Sequence, residues 1–260
     1  MKLKEIPILQ YQNVSPAPRR LWLPASAFKK QMDYLAGNSF RLLAMDEALD
    51  PDKDVPSGAR PISLTFDNGF QDLEEHVFPV LSDCGFPATV LISPSRVGTS
   101  SRKGVTSVSY LSWNTLRALH KINVTIGAYE DTALNLNSIP QELIEEHIVN
   151  HKRALEDQLG IPIVYFGVKE GVPNKAIREL LASQGYKAFL TQCPTYRRPN
   201  PYWVGRIQID DDDFNIFLTK ISKTYLFFKD GRSWKYIRKY KLDRVGHRLS
   251  ETYDRLRDRD

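Results

Sequence analysis

Cysteine is nearly missing from this chain: Cys84 and Cys193 are the only two in 260 residues. A disulfide scaffold is therefore excluded as the source of stability, and two isolated thiols are expected rather than a bond. No stretch approaches the roughly 18 consecutive apolar residues that cross a bilayer. The first 13 residues hold neither an apolar core of signal-peptide length nor a small-residue cleavage site, so a cytoplasmic location is the expectation. Glycine (14) and proline (16) are too sparse for a collagen-like or low-complexity chain. An excess of one charge is also lacking over most of the length. The formal net charge is +5, and positions 229–260 alone hold eleven Lys and Arg against six acids, which accounts for all of it. The near-neutral body excludes a nucleic-acid-binding fold and leaves only the tail as a contact for an anionic surface.

What is there is an alternation of strand-like and helix-like segments. Strands are expected at 6–11, 62–66, 88–92, 124–126, 163–166 and 187–191. Helices are expected at 26–36 (capped by Ser26, closed by Gly37), 72–83, 113–120 (capped by Ser112), 140–159 (Pro140 first, Gly160 last) and 174–184. Strand-then-helix order repeated this way implies an α/β fold with a parallel sheet, open or closed into a barrel. One domain over 1–221 is the simplest division, followed by a basic extension over 222–260. In that extension Val245, Leu249, Tyr253 and Leu256 recur at helical spacing. Packing on the body is the simpler account of this amphipathic tail, with peripheral membrane contact or a partner as the alternatives.

Function in parallel α/β folds gathers just past the carboxyl ends of strands. Here those positions hold Thr65-Phe66-Asp67-Asn68-Gly69, then Gly127-Ala128-Tyr129-Glu130-Asp131, then Phe166-Gly167-Val168-Lys169-Glu170-Gly171. Asp67, Glu130 and Asp131 are a carboxylate pair for glycoside hydrolysis only if two stand about 5–9 Å apart; solvation of a loop explains Glu130 and Asp131 more simply. His147 and His151 lie four apart on the long helix, with no third ligand nameable, and a structural role is expected for them outside the barrel. Asp210 to Asp213 precede a helix-like run and are read as helix-capping acids. Tyr129, Trp113, Tyr202 and Trp203 are candidates to stack on sugar rings, or are core residues. Among them Tyr129 is expected to face the pocket.

The stretch Leu64-Thr65-Phe66-Asp67-Asn68-Gly69-Phe70 resembles the first motif of the polysaccharide deacetylases, the NodB-homology family, whose usual form is Thr-Phe-Asp-Asp-Gly-Tyr. Similarity continues in order through residues 8–14, 28–49, 78–81, 85–89, 111–113 and 185–188, about the first 210 residues in all. The resemblance implies a distorted TIM-like (β/α) barrel. It also implies removal of acetyl groups from N-acetylated sugars by a divalent metal such as zinc, held by the second Asp of that motif and two His of a second motif, while the first Asp acts as base. The matching positions here hold Asn68, Tyr129 and Ala133, and only Asp67 survives. Lys169 stands where the family generally has Pro, and Tyr11-Gln12 replaces a Tyr-His pair. A neutral amide, a phenol and a methyl group do not make a zinc site.

No cofactor is therefore expected. The implied function is that of a deacetylase-like pseudoenzyme of carbohydrate metabolism that binds a glycan or a protein partner of a polysaccharide pathway, with Asn68, Tyr129 and Glu130 as sugar contacts. The alternative is a hydrolase of amide bonds in N-acetylated sugars working through Asp67 as its catalytic residue.

Overall fold

The computed structural model describes residues 6–16, 22–50, 52–103, 106–130, 139–192, 202–210 and 213–222. The chain opens with β1 (Ile8–Tyr11), β2 (Asn13–Ser15) and β3 (Trp22–Pro24), followed by α1 (Ala25–Gly37), β4 (Phe40–Leu42), α2 (Met45–Leu49) and β5 (Arg60–Asp67). It continues through α3 (Asp72–His76), α4 (Phe78–Cys84), β6 (Ala88–Ile92), the hairpin β7 (Ser100–Lys103) and β8 (Thr106–Ser109), α5 (Trp113–Ala118) and β9 (Val124–Tyr129). The last elements are α6 (Gln141–Leu159), β10 (Tyr165–Gly167), α7 (Lys175–Ser183), β11 (Ala188–Thr191), β12 (Val204–Gly205), β13 (Ile207–Gln208) and α8 (Phe214–Lys220).

Nine strands form one sheet in the order β12-β11-β10-β9-β6-β5-β1-β13, with β4 against the start of β5. Every pairing in it is parallel. The two ends of this order are consecutive in the chain and separated by Arg206 alone. Leu190 pairs with Val204 on one side, and Leu9 pairs with Ile207 on the other. One short segment thus closes the sheet into a nearly complete α/β barrel, and the residue at its kink is Arg206.

Alternation along the strands separates two environments. Leu9, Tyr11, Leu64, Phe66, Val90, Ile126, Ala128, Phe166 and Phe189 face outward and meet Ile144, Ile148 and Leu155 of α6 and the other helices. Tyr11, Phe28 and Phe66 pack as a ring cluster, with centroids 5.2–5.9 Å apart. Ile8, Leu91, Tyr129, Tyr165, Ala188 and Leu190 turn the other way and form a smaller cluster inside. Gly127 is required in that interior: a Cβ there would meet the Leu91 side chain and, at 3.0 Å, the carbonyl oxygen of Tyr165.

Most elements fall where the apolar runs place them, and four depart for identifiable reasons. The helix expected at 72–83 is two helices broken at Val77, because Pro79 at the head of α4 lacks an N–H and its ring obstructs a continuous turn. Ser26 is not a cap. The first helix starts at Ala25 directly after Pro24, with no side-chain cap, and it ends past Gly37 where the Asn38 side chain donates to the Tyr34 carbonyl at 2.7 Å. Pro140 is likewise the residue before α6 rather than its first. Of the acidic run, Asp213 caps α8 by accepting from the Asn215 N–H at 2.7 Å, whereas Asp210 pairs with Lys220 at 3.0 Å. Ser112 caps α5 and Gly160 closes α6 in the left-handed conformation, as expected. Among the described residues no helix is long and apolar enough to cross a membrane. Ala133, Asp131, Cys193 and the tail helix lie outside the described residues.

Candidate functional site

Asp67 is the last residue of β5 and faces the barrel interior, because Phe66 before it belongs to the outer layer. It is 0% exposed, as is Arg206. The guanidinium grips the carboxylate from two nitrogens: Nη1 donates to Oδ1 at 2.5 Å and Nη2 to Oδ2 at 3.0 Å. Arg206 also donates to the Val168 carbonyl at 3.1 Å and to Thr65 Oγ1 at 3.4 Å, so neighbouring strands fix its fork. Gln10 on β1 donates its Nε2 to Oδ2. Three donors from two side chains therefore hold a carboxylate that is cut off from solvent.

Tyr129 ends β9 and is 1% exposed. Burial, then the Asp67 charge, push its phenol well above the ordinary value near 10, against the opposing charge of Arg206. The ring lies in the interior cluster of the barrel, on the same side of the strands as Asp67. Asn68 and Gly69 follow in two consecutive left-handed conformations, with φ of 70° and 62°. Asn is the non-glycine residue that best tolerates this region, so Asn68 and Gly69 together suit the sharp turn that follows β5.

Glu130 is 1% exposed, not a solvated loop residue. Continuing the alternation of β9, it turns outward, and its Oε1 lies 2.6 Å from Nδ1 of His147 on α6. His147 stacks on His151 with ring centroids 4.7 Å apart, and His151 Nδ1 sits 3.0 Å from the Tyr129 carbonyl. The two histidines thus lie outside the barrel, as expected, and against the carboxyl end of β9. Asp67 and Glu130 face opposite sides of the strand layer, so they do not form the carboxylate pair considered for glycoside hydrolysis. Trp113 packs on the core, and Tyr202 donates to the Tyr186 carbonyl at 3.2 Å.

Arg206 and Gln10 escaped the sequence reading. The usable signal for Arg206 is one cation inside the strand-like run Val204, Gly205, Ile207, Ile209, since a charge buried in a strand must be paired. Gln10 is likewise the one amide among Ile8, Leu9 and Tyr11.

A divalent metal needs about three good donors. Asn68 offers a neutral carbonyl, and burial beside the Asp67 charge keeps the proton on the Tyr129 oxygen. Among the described residues no group of three His, Cys, Asp or Glu is placed to hold an ion. These residues do not fit the family's metal.

A nearly closed parallel α/β barrel whose β5 runs into Thr65-Phe66-Asp67-Asn68-Gly69 matches the deacetylase type of barrel. The chain belongs to the polysaccharide deacetylase family, whose sequence model matches residues 54–189. A curated relative, "Putative polysaccharide deacetylase YxkH" of Bacillus subtilis (strain 168), is 21% identical over 194 residues, covering 74% of this chain and 66% of the relative. The chain thus spans slightly less than two thirds of that relative's length. IcaB from Ammonifex degensii superposes with a TM-score of 0.71 at 23% identity, over 84% of this chain and 97% of that one. The Streptococcus pyogenes deacetylase PplD, solved in complex with acetate, gives 0.68 at 18% identity, over 84% and 98%. These structures share the fold with this chain.

Proposed function

We propose that this chain is a polysaccharide deacetylase family member that holds a glycan without hydrolysing it. The observation that carries the reading is the state of Asp67: fully buried, and held by Arg206 and Gln10. A general base must reach the proton it abstracts, directly or through one water. A metal-activated water needs about three good donors on its cation, and the positions that supply them in the family resemblance hold Asn68, Tyr129 and Ala133.

The experiment is an acetate-release assay on oligomers of N-acetylglucosamine, with and without added zinc, paired with a binding measurement on the same oligomers and their de-N-acetylated forms. The reading predicts no acetate above the buffer control and measurable binding of at least one oligomer. Acetate release that disappears in a folded Asp67→Asn variant would overturn it, and would establish the alternative of an active amide hydrolase built on Asp67.

A further inference from the structure

On the amino side of the Asp67–Arg206 pair, the barrel interior carries a row of polar side chains. Strand register sets it: Gln10 of β1 stands beside Thr65 of β5, Thr65 beside Thr89 of β6, and Thr89 beside Thr125 of β9. Alternation turns all four inward, since Leu9, Leu64, Val90 and Ile126 next to them belong to the outer layer. Ser63 is the inward residue that precedes Thr65 on β5.

Three of these side chains hold a polar atom with no hydrogen-bond partner among the described residues: Gln10 Oε1, Ser63 Oγ and Thr89 Oγ1. The residues are 0%, 1% and 1% exposed. Thr65 differs, because its hydroxyl donates to the Leu9 carbonyl at 2.8 Å. Turning the Gln10 amide over would face its oxygen to the Asp67 carboxylate, so Nε2 stays on Asp67 and Oε1 needs another partner. An unpaired buried polar atom costs its full desolvation, and native interiors carry few of them. Three on three adjacent strands, all facing the barrel interior, point to a shared partner that is not a side chain.

The chemistry of that partner is narrow. Gln10 Oε1 only accepts, whereas the two hydroxyls each donate and accept. An anion has no donor for Gln10. A cation would bring an uncompensated charge close to Arg206, whose own charge Asp67 already balances. Water is neutral, donates twice, accepts as well, and is small enough for a closed barrel. We propose that the interior of this barrel binds at least one long-lived water, held by Gln10 Oε1 and the hydroxyls of Thr89 and Ser63. Two to four polar partners are what a buried water requires. The row also supplies an entrance: it ends at Thr125, which is exposed, while Asp67 and Arg206, both 0% exposed, shut the carboxyl side. The water then does for Gln10 what the Val168 carbonyl does for Arg206, fixing a donor that grips Asp67. This site goes beyond the glycan-binding reading and stands whether or not a glycan binds.

The test is magnetic relaxation dispersion of the solvent water on the full chain, which counts waters held for longer than the protein takes to tumble. The same measurement is made on Thr89→Val, which keeps the shape and removes the hydroxyl, on Thr89→Ser, which keeps the hydroxyl, and on Ser63→Ala. The proposal predicts that Thr89→Val and Ser63→Ala lose at least one long-lived water per chain and that Thr89→Ser retains it. Urea unfolding reads the same site by its sign. Removing a hydroxyl that is bonded to water forfeits one hydrogen bond, so the folding equilibrium constant of Thr89→Val should fall about fivefold. An unchanged water count in both Thr89→Val and Ser63→Ala would overturn the proposal, and the folding constant of Thr89→Val should then rise, because the methyl relieves a hydroxyl buried dry.

Discussion

Replacing Arg206 by methionine separates a structural from a catalytic Asp67. The substitution keeps most of the side-chain volume and removes both guanidinium contacts to Asp67 and those to Val168 and Thr65. It leaves a carboxylate at 0% exposure held by the neutral donor Gln10. Breaking a buried pair from one side costs about 3–5 kcal/mol, a large share of the roughly 5–15 kcal/mol by which domains are stable. Asp67→Asn alone should cost a similar amount, because it leaves the buried cation without its counter-charge. In the double variant Asp67→Asn/Arg206→Met both charges are gone, and the amide oxygen can still accept from Gln10. Its cost should be close to that of one single variant, a coupling of about 3 kcal/mol or more where additivity would predict about twice the single cost. Urea unfolding of the four proteins, compared at an unchanged denaturant slope, measures this cycle. Single variants that each cost less than about 1 kcal/mol, or costs that add within about 0.5 kcal/mol, would refute the sealed-pair argument.

Alkaline titration supplies a second prediction. Burial pushes the phenols of Tyr11, Tyr129, Tyr165 and Tyr186 above their ordinary value. Because the folded pKa is the higher one, their stabilising contribution is complete below about pH 10 and is lost as pH rises above it, at about 1.4 kcal/mol per pH unit for each phenol. Absorbance at high pH should show these four of the 12 tyrosines ionising only as the chain unfolds; their smooth ionisation in a folded chain would refute the burial. Gly127→Ala should destabilise by about 1–3 kcal/mol in urea unfolding, because the new methyl meets the Tyr165 backbone, whereas Gly37→Ala, with open space around it, should not. The triple variant Asn68→Asp/Tyr129→His/Ala133→His should take up about one zinc per chain by metal analysis. A folded triple variant that takes up none would refute the alignment of the two motifs.

The sheet was legible because its strands are short apolar runs, and 88–92 is a strand over those same residues. Helix ends were legible where glycine fixes them, as at Gly160, and illegible where proline or a backbone turn does the work, as at Pro24 and Val77. At the site, Asp67 stood out by its motif. Its partner Arg206 did not, since the two are 139 residues apart and meet only because the segment around Arg206 closes the barrel. The inward or outward turn of Tyr129 and Glu130 follows from alternation once Ala128 is known to face the helices, but that needs the packing of α6 on β9.

The central claim is that this barrel end has exchanged a metal site for a sealed ion pair. The most direct measurement is the zinc content of the purified chain after saturation and exhaustive dialysis, in moles per mole, beside the same measurement on Asn68→Ala. The account predicts a value near zero for both. A value near one that falls in Asn68→Ala, with the fold intact by circular dichroism, would contradict it.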